Sequence, residues 1–189
     1  MMIGASRIQG EQTDEGNIAL LIIDVQQGLF EKPTPIYKAE ELLEKISTLI
    51  GRAHQSGVPV FYIQHSDLKA LLKGSANWRL HPRLQPLAID QIIHKQHGNA
   101  FEDTNLDEAL RSRNITILVV TGLVTHGCVR ATCLGARQLG YKVVLVEDGH
   151  SNYNKQAARI IDEWNQKLSA ENIELRSAAE IEFYCPTSK

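Results

Sequence analysis

The 189-residue sequence has no apolar run long enough to cross a bilayer. Its longest strictly apolar stretch, Ile18–Ile23, holds six residues, against the roughly 20 that a spanning helix needs. It also lacks an excess of charge of either sign. Twenty Lys+Arg against twenty-two Asp+Glu leave a formal net charge of −2, so neither nucleic acid nor a membrane surface is expected as a partner. Cysteine is scarce and odd in number, three in all, with no C-x-x-C pair. A disulfide framework and dithiol redox chemistry both lose support, and reduced thiols in a cytoplasmic protein are expected. No G-x-G-x-x-G follows the first apolar run, which disfavours dinucleotide binding. Gly122 and Gly127 have the spacing of a phosphate loop, but Cys128-Val129 stand where Lys-Ser/Thr would be required. The opening MMIGASRIQG has no apolar stretch after its single Arg, so no signal peptide is expected.

What is present is an ordinary globular composition, 43% hydrophobic and 22% charged. A chain of this length can bury roughly 70% of its unfolded surface without staples. The polar, aperiodic segment 1–16 reads as a flexible N-terminal arm, Cys185–Lys189 as a tail, and 17–189 as one domain.

β-branched apolar runs predict strands near 18–24, 58–64, 90–95, 115–121, 142–147 and 172–176. The first, fourth and fifth are almost continuously apolar, as strands covered on both faces are. Between them, Leu42, Leu43, Ile46, Leu49, Ile50 and Ala53 repeat at helical spacing, with Gly57 as a stop. Thr104 with Asp107 suggests a capped helix to about Arg113. His126–Leu139 reads as a helix whose Ala131, Gly135 and Ala136 permit close approach to a sheet. Ala157, Ile161, Trp164 and Leu168 form the stripe of a last helix. Segment 66–89, with Trp78, Pro82 and Pro86, is expected to be a short helix plus an irregular loop near a site. This alternation predicts an α/β, three-layer Rossmann-like fold: a six-stranded, mostly parallel sheet flanked by helices.

In such sheets ligands bind outside the carboxyl ends of the strands. Three reactive side chains fall there. Asp24 closes IALLIID, Lys95 closes DQIIHK, and Cys128 follows ITILVVTG in the first turn of the next helix. The chemistry is coherent: a thiol nucleophile, a cation and helix N-terminus to lower its pKa, a carboxylate to carry its proton, and backbone N–H groups to hold an oxyanion. Each residue alone has a plainer reading. Asp24 would serve as a helix cap, Lys95 as a solvated strand end and Cys128 as a small buried hydrophobe. Cys133 is read as packing, because five helical positions put it on a different face from Cys128. Trp78 and Tyr153 are equally readable as pocket walls or as packing. Glu40, Glu41, Glu44 and Lys45 are read as a solvated helix face.

Three stretches, ALLIIDVQQGLF (19–30), HKQHGNAFEDTNLDEAL (94–110) and VVTGLVTHGCVRATCLGARQLGYKVVLVEDGHS (119–151), resemble the isochorismatase-like cysteine hydrolases, a family that includes nicotinamidases and N-carbamoylsarcosine amidases. The resemblance covers about residues 18–151. It implies a six-stranded parallel sheet and a catalytic triad of Asp24, Lys95 and Cys128. It also implies a non-proline cis peptide at Val124–Thr125, an oxyanion hole from the N–H groups of Thr125 and Cys128, pocket-lining roles for Gln26, Phe30 and Phe101, and a homo-oligomer. The expected reaction is cleavage of a C–N bond in a small amide or carbamoyl substrate through a Cys thioester, without a cofactor. Nicotinamidases of this family carry Asp-x-His after the second strand. Here that place reads Gln64-His65-Ser66-Asp67, so no metal is expected, and His65, Asp67 and His81 are read as surface side chains, with a shared cation as the alternative. His126 stands where relatives often have an acidic or small residue. The alternatives are vinyl ether hydrolysis of the isochorismatase type, a metal-dependent nicotinamidase variant, and a ligand-binding member of the fold without turnover.

Overall fold

A computed structural model describes residues 16–183. The expected arm and tail, including Cys185, lie outside the described residues except for Gly16.

Six strands form one sheet: β1 (Asn17–Ile23), β2 (Val60–His65), β3 (Gln91–Lys95), β4 (Ile115–Leu123), β5 (Lys142–Ser151) and β6 (Glu174–Arg176). Their order is β3-β2-β1-β4-β5-β6 and every neighbouring pair is parallel. The chain winds outward from β1 to β3, returns to β4 beside β1, and winds outward again. The carboxyl ends of β1 and β4 therefore flank the point where the winding reverses, the usual crevice for a ligand in an open α/β sheet.

Alternation along the strands separates two apolar layers. Ala19, Leu21, Ile23, Phe61, Ile63, Ile93, Leu118 and Val120 face one layer, with Leu106 and Leu110 of α3 (Leu106–Arg111), Cys133 and Ala136 of α4 (Arg130–Gln138) and Leu168 of α5 (Ala157–Ala170). Leu20, Ile22, Val60, Tyr62 and Val119 face the other, under α2 (Ala39–Gln55) and residues 178–183. All six residues of the predicted α2 stripe are buried. Each Leu and Ile among them contributes about 1.5–3 kcal/mol of burial free energy.

One element is unforeseen and four local expectations are corrected. A single turn, α1 (Gln27–Phe30), follows β1 directly. Segment 66–89 contains no helix; it is irregular, anchored by buried Leu71 and Leu84 and by a bridge from Gln26 to Leu80. The capping box of α3 does not form: Thr104 Oγ1 donates to the Ala100 carbonyl (2.6 Å) and accepts from Leu106 N (3.3 Å), while Asp107 accepts from Arg111 and from the Tyr141 hydroxyl. The predicted helix 126–139 is broken near its start. Residues Thr125–Val129 form a π-type turn in which Gly127 is non-helical (φ −111°, ψ −110°), and α4 begins at Arg130. The last helix is thinner than its stripe: Ala157 and Leu168 are buried, Ile161 and Trp164 only half-buried.

Candidate active site

Asp24 is the first residue beyond β1, and its backbone turns through the left-handed region (φ 50°). Asp tolerates that conformation better than most side chains. Its N–H donates to the Ile63 carbonyl (3.0 Å), which ties the turn to β2. Gly122 lies opposite on β4 with φ 120°; a Cβ there would stand 2.2 Å from the Ile23 carbonyl oxygen, so only glycine lets β4 pass this close to β1.

Lys95 comes from β3, two strands away, roughly 10 Å at ordinary strand spacing. Only a long side chain laid across the end of β2 covers that distance. Its Nζ, without solvent access, donates to Asp24 Oδ2 at 2.8 Å, to His65 Nδ1 at 3.3 Å and to the His97 carbonyl at 3.1 Å. All three ammonium protons are thus directed. An ammonium can only donate, so His65 Nδ1 accepts and its proton resides on Nε2. Burial and the Lys95 charge hold the His65 pKa below the ordinary histidine range.

Cys128 is half-buried in the π-type turn. Its sulfur, a carboxylate oxygen of Asp24 and a ring nitrogen of His65 all lie within 4.8 Å of one another. The three residues expected at the strand ends therefore converge. The charge state differs from expectation. Burial, then the Asp24 carboxylate, push the Cys128 thiol up to about 12; Lys95 opposes this and does not prevail. Desolvation of the thiolate outweighs the cation because Lys95 is already neutralised by Asp24. Cys128 therefore rests as a neutral thiol. Asp24 Oδ1 is buried and has no hydrogen-bond partner.

The remaining expected site residues are placed as follows. Gln26 has no solvent exposure, and its amide is consumed by backbone. Nε2 donates to the carbonyls of His65 (2.9 Å) and Trp78 (2.7 Å), and Oε1 accepts from His65 N (2.8 Å). It staples β1, β2 and the 66–89 segment together and has no free donor for a substrate. Phe30 packs beside His81 with ring centroids 4.6 Å apart. Phe101 stacks on Tyr141 (5.7 Å) and joins the layer beneath α3 and α4, into which Cys128 also packs. Thr125 is fully buried at the head of the turn, and the carbonyl of Val124 before it accepts from Gly127 and Val129 N–H. The cis peptide is at Leu123–Val124, one residue earlier than the resemblance implied. Trp78 lends its carbonyl to Gln26 and Gln64 and its ring to His94 (5.0 Å). His126 is exposed. Glu40, Glu41 and Glu44 are exposed, as a solvated face requires, and Lys45 is half-buried and pairs with Asp148 at 2.8 Å.

His65 is the residue that sequence reasoning placed wrongly: it is not a surface side chain but a partner of Lys95. Period two would have found it. Ile63 and His65 share a face of β2, Ile93 and Lys95 share that face of β3, and His65 is paired with Lys95 in register. His65, Asp67 and His81 do not gather around a cation. Asp67 caps the N–H groups of Lys69 and Leu71, and His81 Nδ1 accepts from Arg83 N. Among the described residues the one grouping of metal-ligand type is Asp24, His65 and Cys128, and there Lys95 already takes an oxygen of Asp24 and Nδ1 of His65.

The Isochorismatase domain family matches residues 18–165. Streptothricin hydrolase of Streptomyces noursei is 30% identical, across 74% of this chain and 51% of that protein. Ureidoacrylate amidohydrolase of Cronobacter sakazakii is 40% identical across 69% of this chain and 72% of the relative. Among solved structures, N-carbamoylsarcosine amidase from Thermoplasma acidophilum superimposes with a TM-score of 0.78 at 26% identity, covering 88% of this chain and 99% of that one. The chain belongs to the isochorismatase family. It spans about half the length of the streptothricin hydrolases it matches.

Proposed function

We propose that the protein is a cysteine hydrolase that opens a C–N bond of a small amide or carbamoyl substrate, with Cys128 as nucleophile. The carrying observation is the convergence of three side chains: Cys128 Sγ and an Asp24 carboxylate oxygen lie within 4.8 Å of each other, Lys95 Nζ holds Asp24 Oδ2 at 2.8 Å, and Asp24 Oδ1 is left without a hydrogen-bond partner. As Cys128 Sγ bonds to the substrate carbonyl carbon, Asp24 takes the thiol proton; the carbonyl electrons move to oxygen, which the N–H groups of Thr125 and Cys128 receive. The oxyanion collapses, the C–N bond breaks, and Asp24 returns the proton to the leaving nitrogen. A thioester remains. Water, deprotonated by Asp24, then attacks it, releasing the acid and the thiol. Lys95 holds the Asp24 carboxylate in place and offsets its charge throughout. The names of the relatives, an amidohydrolase and an amidase among them, support a C–N substrate.

The test is a panel of small amides, N-carbamoyl compounds and isochorismate, with Cys128→Ala as control. Turnover of an amide or carbamoyl compound that Cys128→Ala lowers at least about 1,000-fold is expected. Turnover that survives the substitution, or that is confined to isochorismate, refutes the reading.

A further inference from the structure

Behind the proposed oxyanion turn runs a second chain of polar side chains. His150, on β5, is almost wholly buried. Its Nδ1 lies 2.9 Å from Thr125 Oγ1, and its Nε2 lies 2.9 Å from Asn165 Oδ1 on α5. Asn165 Nδ2 in turn donates to the Glu147 carbonyl at 3.0 Å. That last bond orients the whole series. With its nitrogen committed to a carbonyl, Asn165 offers oxygen to His150, so His150 Nε2 carries a proton. Burial pushes His150 down to about 4, so the ring is neutral and Nδ1 is an acceptor. Thr125 Oγ1 must then donate. Each proton in the series has one place, and the series ends on the residue that heads the turn bearing Cys128.

We propose that His150 and Asn165 are positioning residues for catalysis: they lock the Thr125 hydroxyl, and through it the backbone N–H groups that receive the oxyanion. This rests on the reading under Proposed function and goes beyond it, because neither residue touches the triad. Thr125 has no solvent exposure, and the peptide that carries its N–H is held at two points: its own carbonyl, that of Val124, accepts from Gly127 and Val129, and the Thr125 hydroxyl beside it is anchored on His150. Freeing the hydroxyl removes one of these two restraints and widens the range of the Thr125 N–H, and oxyanion stabilisation depends on donors held in place before the charge forms. Asn165 and His150 also line a cavity of about 520 Å³ between α2 and α5, away from the triad. The outer end of the series therefore faces open space, and its fixed orientation comes from Asn165 and Glu147.

Two reagents separate positioning from nucleophilicity. Acylation of Cys128 by p-nitrophenyl acetate forms an S–C bond through a tetrahedral oxyanion and expels p-nitrophenol. Alkylation by iodoacetamide displaces iodide from carbon and forms no oxyanion. Both use the intact protein, with Cys128→Ala as blank. Thr125→Val keeps the shape and loses the donor. His150→Leu keeps the bulk and loses the acceptor for Thr125. Both variants are expected to acylate about 10- to 100-fold more slowly while alkylating within about twofold of the unaltered protein. Thr125→Ser should acylate at least about tenfold faster than Thr125→Val. Acylation unchanged in Thr125→Val, or both rates falling together, overturns the positioning role and leaves the proposed hydrolase standing. An unaltered protein whose acylation does not exceed the blank refutes the hydrolase reading itself.

Discussion

Acid should loosen this fold through one buried ring. His150 is held neutral, with its pKa lowered from 6.5 to about 4, chiefly by burial; the Asn165 hydrogen bond and the Asp148 charge act the other way. The unfolded chain takes up this proton near pH 6.5 and the folded chain only near 4. The contribution is therefore fully present above about 6.5 and drains away as pH falls towards 4. A gap of this size amounts to about 3 kcal/mol over the whole window, of which about 2 kcal/mol is lost between pH 7 and pH 4.5. His65, His81 and His94 are also pushed down by burial and add to the slope. They do so equally in a variant that lacks only His150. Urea unfolding at pH 7, 5.5 and 4.5 should show His150→Gln losing about 2 kcal/mol less than the parent across that range, whatever its stability at pH 7. Parallel losses in the two proteins would refute the neutral, buried assignment and with it the donor direction inferred for Thr125.

Two further outcomes follow from the arrangement of Asp24, Lys95 and Cys128. With the Cys128 thiol pushed up to about 12, its alkylation rate should climb steadily from pH 6 to pH 9, close to tenfold per unit; a plateau below pH 7 would show a pre-formed thiolate and refute the resting state described. Lys95→Met should cost about 3–5 kcal/mol in urea unfolding because it strands a buried carboxylate, and adding Asp24→Asn should recover most of that loss. A single-variant cost under about 1 kcal/mol would mean that the pair is not buried as a charged pair.

The fold was legible because its signals are redundant. Six β-branched runs alternate with helical stripes, and the α2 stripe was read residue for residue. Strand ends carried Asp24 and Lys95 to one edge by the geometry of parallel sheets alone, and Cys128 came with the turn after β4. Less legible was everything that depends on competition between neighbours. The α3 cap failed because the Thr104 hydroxyl finds a carbonyl at Ala100, which lies in sequence reach but is revealed only by the folded turn. The break at Gly127 is invisible to helical periodicity, since apolar spacing does not report φ and ψ. The resemblance puts Gln26 in the pocket lining; its burial under the Trp78 and His65 carbonyls is a tertiary fact. His150 and Asn165 are fifteen residues apart, on a strand and a helix whose relative rotation no local pattern reports.

The largest departure from expectation, the protonated Cys128, bears on how the proposed chemistry is controlled. Asp24 and Lys95 already form a neutral pair whose side chains are closed to solvent. A thiolate added to that pair would leave one net negative charge in a poorly solvated place, and burial makes such a charge costly. On the proposed mechanism the charge never has to rest on sulfur. The proton leaves for Asp24 Oδ1 as the S–C bond forms, and the negative charge passes to the carbonyl oxygen between the backbone N–H groups of the turn. Nucleophilicity is then conditional on a carbonyl being seated. Small oxidants and electrophiles that offer no such carbonyl meet a thiol and not a thiolate. The Thr125–His150–Asn165 series gains its importance from the same logic. A site that keeps its nucleophile protonated relies on the oxyanion donors to draw the reaction forward, so an error in their placement cannot be compensated by a more reactive sulfur.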